Sequence, residues 1–268
     1  MATLPNPLPK LAADPSGRVL GLELPSGRLI DASDEGAEGP AQEPLLWCAD
    51  EPAVPGGWAA LEPARRAAGL LPVVVDLGGG HGGPEEWVLM PGEMSYPGDH
   101  DAEEVLAEFW DECAAQGEEW PGLTDGPAGP DADPDPDTVA AEIADALLES
   151  GGPLKEPRLA LVPARRSADI PAVIGWTGPA NHEGDTARLC AVLRSWEDRF
   201  GIRLVALGFD HLLVSVAVPP RTLAEAEALA AEHFAFCPDN IWQGSDTTLR
   251  AYAERQLLNQ PAWHFWWD

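Results

Sequence analysis

Apolar positions along the chain fall into short runs separated by longer stretches with helical spacing, the pattern of strands alternating with helices. In the first half, residues 43–47 (EPLLW) make a short apolar run ending on tryptophan. Residues 58–68 have helical spacing, with Arg65 and Arg66 near the far end. Gly69 follows as a stop, since glycine tolerates the left-handed conformation that ends helices. Residues 70–77 (LLPVVVDL) predict a strong strand, and residues 87–90 (WVLM) predict a second one beyond a glycine loop. Residues 102–115 then predict an amphipathic helix, with Asp99 or Asp101 as its N-cap.

The second half repeats this order. Residues 170–176 (IPAVIGW) are again an apolar run ending on tryptophan. Leu189, Val192, Leu193, Trp196 and Phe200 lie at helical spacing behind Asp185 or Thr186, and Gly201 stops that helix. Residues 202–207 and 212–218 predict a hairpin, and Thr222 caps a helix running to about Phe236. Residues 158–162 supply a preceding strand. Residues 248–258 predict one more helix, capped by Asp246 or Thr247. Residues 262–267 close the pattern as a strand with Trp263, Phe265 and Trp267 on one face.

The matched succession strand–helix–strand–strand–helix predicts an α+β fold. It consists of two similar sandwich halves with a mainly antiparallel sheet, the C-terminal half being ferredoxin-like if its strands pair in the simplest way. It suggests an internal duplication. The halves fall at 1–116 and 139–268, joined by residues 117–138 (GEEWPGLTDGPAGPDADPDPDT), where alternating Asp and Pro oppose helix and predict an extended acidic spacer.

Charge changes the picture. The chain carries 45 acidic against 16 basic residues, a net charge of −29. Between Arg66 and Lys155 there is no lysine or arginine, against 21 acidic residues. That balance excludes nucleic acid and anionic membranes as expected partners and favours a basic protein. No apolar stretch is long enough to span a bilayer, and the first residues lack the pattern of a signal peptide. Cys48, Cys113, Cys190 and Cys237 form no CxxC pair, so a reduced, cytoplasmic protein is expected.

From about Leu159 the chain resembles the bacterial domain-of-unknown-function family 4253. The resemblance is carried by Trp176, the apolar hairpin, residues 232–239 (EHFAFCPD), Gln243-Gly244 and the terminal Trp266-Trp267-Asp268. It covers roughly the last 110 residues. It implies a compact bacterial domain and no particular activity.

Candidate chemistry concentrates in residues 232–243. His233 and Cys237 are four apart and share a helix face, and Pro238 ends that helix. With Asp239 these are the residue types of a metal site or an activated thiol, although only two are fixed by spacing and no metal or cofactor is called for. A buried cysteine under the Trp-rich terminus, a satisfied histidine and a turn-forming aspartate are the simpler explanation and the one expected first. Asp210-His211 in the hairpin turn has the composition of half an acid–base pair, but turns favour Asp for backbone reasons alone, and that is the explanation expected first. Residues 78–83 (GGGHGG) satisfy GxGxxG after a strand but lead into Pro84-Glu85-Glu86 and another strand, so they read as a hairpin loop rather than a phosphate cradle. In Asp99-His100-Asp101 helix capping explains the aspartates. Of eleven tryptophans, Trp120 and Trp242 are expected to be partly exposed.

The sequence alone favours a non-enzymatic interaction or regulatory module whose acidic surface engages a basic protein partner. The alternative is an enzyme, or a small-ligand or metal-binding protein, with a pocket around His233, Cys237, Asp239, Gln243 and Trp242, joined by His211 if the hairpin turn reaches them.

Overall fold

The computed structural model describes residues 5–32, 43–115, 117–126, 134–149 and 151–268. Residues 127–133 of the expected spacer lie outside the described residues. Seven strands form one sheet: β1 (Gly27–Ile30), β2 (Leu46–Pro52), β3 (Leu70–Asp76), β4 (Pro157–Pro163), β5 (Ile202–Leu207), β6 (His211–Val216) and β7 (Ala262–Trp266). Their order is β1-β2-β4-β3-β5-β6-β7. Every pairing is antiparallel except that between β3 and β5.

The fold is thus mixed helix and strand on a mostly antiparallel sheet, as the pattern predicts. The C-terminal half has the element succession of a ferredoxin-like unit, but its pairing differs from the simplest one. β3, from the N-terminal half, is inserted between β4 and β5. β3 is buried along its whole length, which is why it reads as a continuous apolar run rather than an alternating one. Its Pro72 is tolerated in so central a strand because the ladder to β5 joins only Val74 and Val75.

Ten helices are named among the described residues: α1 (Pro9–Ala13), α2 (Gly57–Leu61), α3 (Pro63–Ala68), α4 (Ala102–Cys113), α5 (Pro136–Leu147), α6 (Ile170–Ile174), α7 (Thr186–Phe200), α8 (Leu223–Phe236), α9 (Asp239–Trp242) and α10 (Leu249–Tyr252). One sheet face is covered by α4, α6, α7 and α8, which enclose the larger apolar core with Trp196, Phe236, Trp263 and Phe265. The opposite face is covered by α1, α2, α3 and α5, around Trp47, Trp58 and Val74.

Several expectations need correction. Residues 170–176 are helix α6, not a strand, because Pro171 opens a helix readily and a short apolar run has no distinguishing period. Gly175 ends α6 at φ +68, and a Cβ there would collide with the backbone of Met90 and Pro91. Residues 87–90 contribute only the isolated bridge between Leu89 and Trp176. With these two strands absent, the matched order of the halves is lost and an internal duplication is not shown.

Residues 58–68 split into α2 and α3 at Pro63, which cannot donate to the preceding turn. Helix α5 begins inside the expected spacer: Asp135 caps it by accepting from Thr138 N at 3.0 Å, and Pro136 takes the first position, where no donor is needed. The cap of α10 is Thr248 rather than Asp246 or Thr247, and the helix continues as a π-turn over Ala253–Leu257. Asp101, Asp185 and Thr222 cap α4, α7 and α8 as expected, Thr222 in a reciprocal capping box with Glu225.

The helical layer on the larger core is tied together by one carboxylate. Glu232, fully buried on α8, accepts from Arg199 Nη1 and Nη2 at 2.8 and 2.6 Å. It also accepts from Trp196 Nε1 and Thr124 N, both at 2.8 Å. Arg199 in turn donates to Thr124 O at 2.6 Å. Removing the carboxylate would leave a desolvated guanidinium without its partner. Glu232→Ala is expected to destabilise the protein by ~3–5 kcal/mol, read as a lower urea midpoint. A change below ~1 kcal/mol would show that Arg199 finds water instead.

Candidate functional site

His233 lies on α8 and Cys237 caps its C-terminal end, and both are completely buried. The imidazole of His233 is surrounded by Trp196, Trp263 and Phe265, with ring centres 4.7–4.8 Å away. Its Nδ1 meets Tyr252 Oη at 3.1 Å, while Nε2 has no hydrogen-bond partner. Burial, reinforced by the Arg199 charge, holds this histidine neutral by pushing its pKa well below the usual value. The Cys237 thiol is pushed by burial up to about 12 and donates to Trp266 O at 2.9 Å. A thiol so far from ionisation is no nucleophile at neutral pH.

The turn after Cys237 serves the sheet. Asn240 Nδ2 donates to His264 O at 2.7 Å, and Asn240 Oδ1 accepts from Trp266 N at 3.2 Å. The amide side chain therefore occupies the place of a neighbouring strand along the outer side of β7. Asp239 accepts from Asp268 N and Gln243 Nε2, both at 3.1 Å. Trp242 is 59% exposed and rests edge-on against Phe234. Trp120 is half-buried against Trp110. Residues 232–243 thus hold the sheet edge and the core. Of the predicted set His233, Cys237, Asp239, Gln243 and Trp242, Asp239 lines a polar cleft of about 300 Å³ shared with Asn240, Asp246 and His264.

His211 lies elsewhere. It opens β6 and lines a cleft of about 450 Å³ on the sheet face opposite α8. The cleft forms where β3 ends in Asp76 and the β5–β6 turn presents Asp210 and His211; β7 contributes His264 and Trp266. Lys155, just ahead of β4, and His81, in the glycine loop after β3, complete it. Sheet order explains this convergence. Inserting β3 beside β5 as the one parallel pair brings the carboxyl ends of both strands together, where a crevice forms in sheets of this kind.

Within the cleft, Asp210 Oδ1 accepts from His211 Nδ1 at 3.0 Å, which fixes the orientation of the ring. Nε2 lies 3.9 Å from Asp76 Oδ2, and the His264 ring stands edge-on at 5.7 Å. Asp76 is 3% exposed and accepts from the backbone of Gly78, Lys155 and Glu156 at 2.8–3.2 Å. His81 stacks flat on Phe209 with ring centres 4.0 Å apart. Among the described residues, no group of three or more His, Cys, Asp or Glu converges as a metal ion requires.

The hairpin turn does not reach His233, which is sealed on the other face of the sheet. Sequence reasoning missed Asp76, His81, Lys155 and His264 as neighbours of His211. Two signals pointed to them: Asp76 ends the most apolar strand, and His264 alternates away from Trp263 and Phe265.

Residues 158–268 match the model of a family described as Domain of unknown function (DUF4253), and the N-terminal region matches no family. No curated protein and no solved structure matches the chain. Asp210, His211 and His264 fall within the matched part, whereas Asp76, His81 and Lys155 come from outside it.

The buried state of His233 sets a pH dependence. Its folded pKa lies below the unfolded value of 6.5, so its contribution is complete above that pH and is lost as pH falls through it. Between pH 7.5 and 5.5 the wild type should lose ~1.4 kcal/mol more stability than His233→Phe in urea melts. Parallel losses in the two proteins would mean that the imidazole accepts a proton in the folded state.

Proposed function

We propose that the protein binds a small organic ligand in the His211 cleft and that the Asp210–His211 pair serves that ligand as a general base. The observation that carries this reading is the 3.0 Å bond from His211 Nδ1 to Asp210, beside a cleft of about 450 Å³. A carboxylate that holds Nδ1–H fixes the ring and the tautomer, so Nε2 is available to take a proton from a bound molecule. The ring stands between the Asp210 and Asp76 carboxylates, with Nε2 3.9 Å from Asp76 Oδ2. The cleft size suits a ligand of metabolite dimensions, and Leu154, Leu213 and Trp266 give it an apolar wall.

A thermal-shift screen of a metabolite library against wild type and His211→Ala tests this. A ligand at a hundred times its Kd contributes ~2.7 kcal/mol to stability, enough to raise Tm by about 5 °C. That shift is expected in the wild type and should vanish in His211→Ala. A library with no hit, or hits that stabilise both proteins equally, would sink the reading.

A second reading has its own observation. The outer face of α4 presents Glu103, Glu104, Glu108, Asp111 and Glu112 to solvent, and among the described residues only Glu108 of these forms an ion pair, with Arg188. Such a face suits a basic protein partner, in line with the net charge of −29. A basic protein captured through this face should be released at ~0.5 M salt, where the screening length shrinks to several ångströms. Retention unchanged after reversing Glu103, Glu104 and Asp111 to lysine would remove the α4 face from consideration.

A further inference from the structure

The charged groups of the His211 cleft are not equally free to act. Both carboxylates are committed: Asp76 to three backbone N–H groups and Asp210 to the His211 ring. The ammonium of Lys155 is not. It forms no ion pair among the described residues, in a chain where acids outnumber bases 45 to 16. The protein has only two lysines, Lys10 and Lys155. Most of its arginines, by contrast, are paired with carboxylates, as Arg194 is with Asp169 and Arg203 with Asp137.

The position of Lys155 is built rather than incidental. Its backbone N–H donates to Asp76, and its aliphatic stem lies across Gly78. A Cβ at Gly78 would sit 3.0 Å from Lys155 Cδ and closer still to its Cβ, so only glycine leaves room for the stem. Asp76 therefore does two things: it anchors the backbone beneath Lys155 and it stands beside His211. The stem is packed against Gly78 while the residue as a whole is exposed and lines the cleft, an arrangement common for a long cationic side chain. An ammonium is a point charge with three donors and accepts either a carboxylate or a phosphate oxygen, without the planar matching that a guanidinium imposes.

We infer that the ligand of this cleft is a small organic acid, a carboxylate or phosphate on an apolar body, with Lys155 holding the anionic group and His211 facing the atoms next to it. This rests on reading the cleft as a ligand site. The apolar body lies against Leu154, Leu213 and Trp266, and the stacked His81 and Phe209 close the side nearest the glycine loop. Neighbouring Glu156 points its backbone N–H, like that of Lys155, at Asp76. The local preference for an anion therefore depends on Lys155 alone, against the negative field of the whole protein.

Three probes of nearly one shape separate charge from fit: benzoate, phenyl phosphate and the neutral benzamide. Binding to the full chain is followed by the imidazole proton signals of His211, which lines this cleft, and of His264, which lines both this cleft and the one beside Asp239, so only a shift that includes His211 counts as binding here. At least one of the two acids should shift these signals, with an affinity about tenfold or more above that of benzamide, the worth of one charge-assisted hydrogen bond. Lys155→Gln should abolish that preference and Lys155→Arg should keep most of it. Whichever acid binds more tightly identifies the carboxylate or the phosphate as the group held.

Equal affinity for benzoate, phenyl phosphate and benzamide, or a preference unchanged in Lys155→Gln, would overturn the inference and leave the cleft as a site for neutral ligands. Failure of all three probes to move the His211 and His264 signals would overturn both the inference and the reading on which it rests.

Discussion

One buried carboxylate organises the helical layer of this protein. Glu232 takes four hydrogen bonds from three residues on two segments: the backbone at Thr124, and the indole of Trp196 and the guanidinium of Arg199 on α7. An ion pair without water is stable only when its remaining lone pairs are met, and here they are. The arrangement fixes α7 against α8 and ties residues 123–126 across them. The aromatic packing of Trp196 against Phe236, Trp263 and Phe265 is assembled around the same indole. His233, one residue along, is sealed beneath that packing.

The cleft depends on a different constraint, the place of β3. A strand from the N-terminal half lies between two strands of the C-terminal half, so neither half completes the sheet alone. Asp76 meets His211 only because of this insertion. The family match covers one wall of the cleft and the remaining residues supply the other. The Asp210–His211 pair and Lys155 thus come from parts of the chain that sequence comparison treats separately.

Much of the fold could be read from the sequence, and the limits are physical. Strands β3, β5, β6 and β7 and helices α4, α7 and α8 announce themselves by period and by capping residues such as Asp101 and Thr222. The run at 170–176 misled because five apolar residues have no period long enough to separate helix from strand, and Pro171 acts as a helix start. Helix α5 was hidden by an Asp-Pro pattern that resembles a spacer until Asp135 caps it. The site was harder. His233, Cys237 and Asp239 share a helix end and so attracted attention, yet burial makes the first two inert. His211 was visible beside Asp210, but its neighbours Asp76, Lys155 and His264 are distant in sequence. They meet only through the strand order, which local pattern does not encode.

The Asn240 side chain, standing in for a strand along β7, gives the molecule a chemical clock. Its Nδ2 faces the carbonyl of His264 at 2.7 Å. Deamidation would replace that donor by an oxygen and set a charge against the carbonyl, leaving the His264 carbonyl without its partner while the bond from Trp266 N could remain. An edge so exposed is a template for a strand from another molecule. Ageing of one amide would then convert a closed sheet into one that can grow, and the earliest sign of it would be aggregation rather than loss of fold.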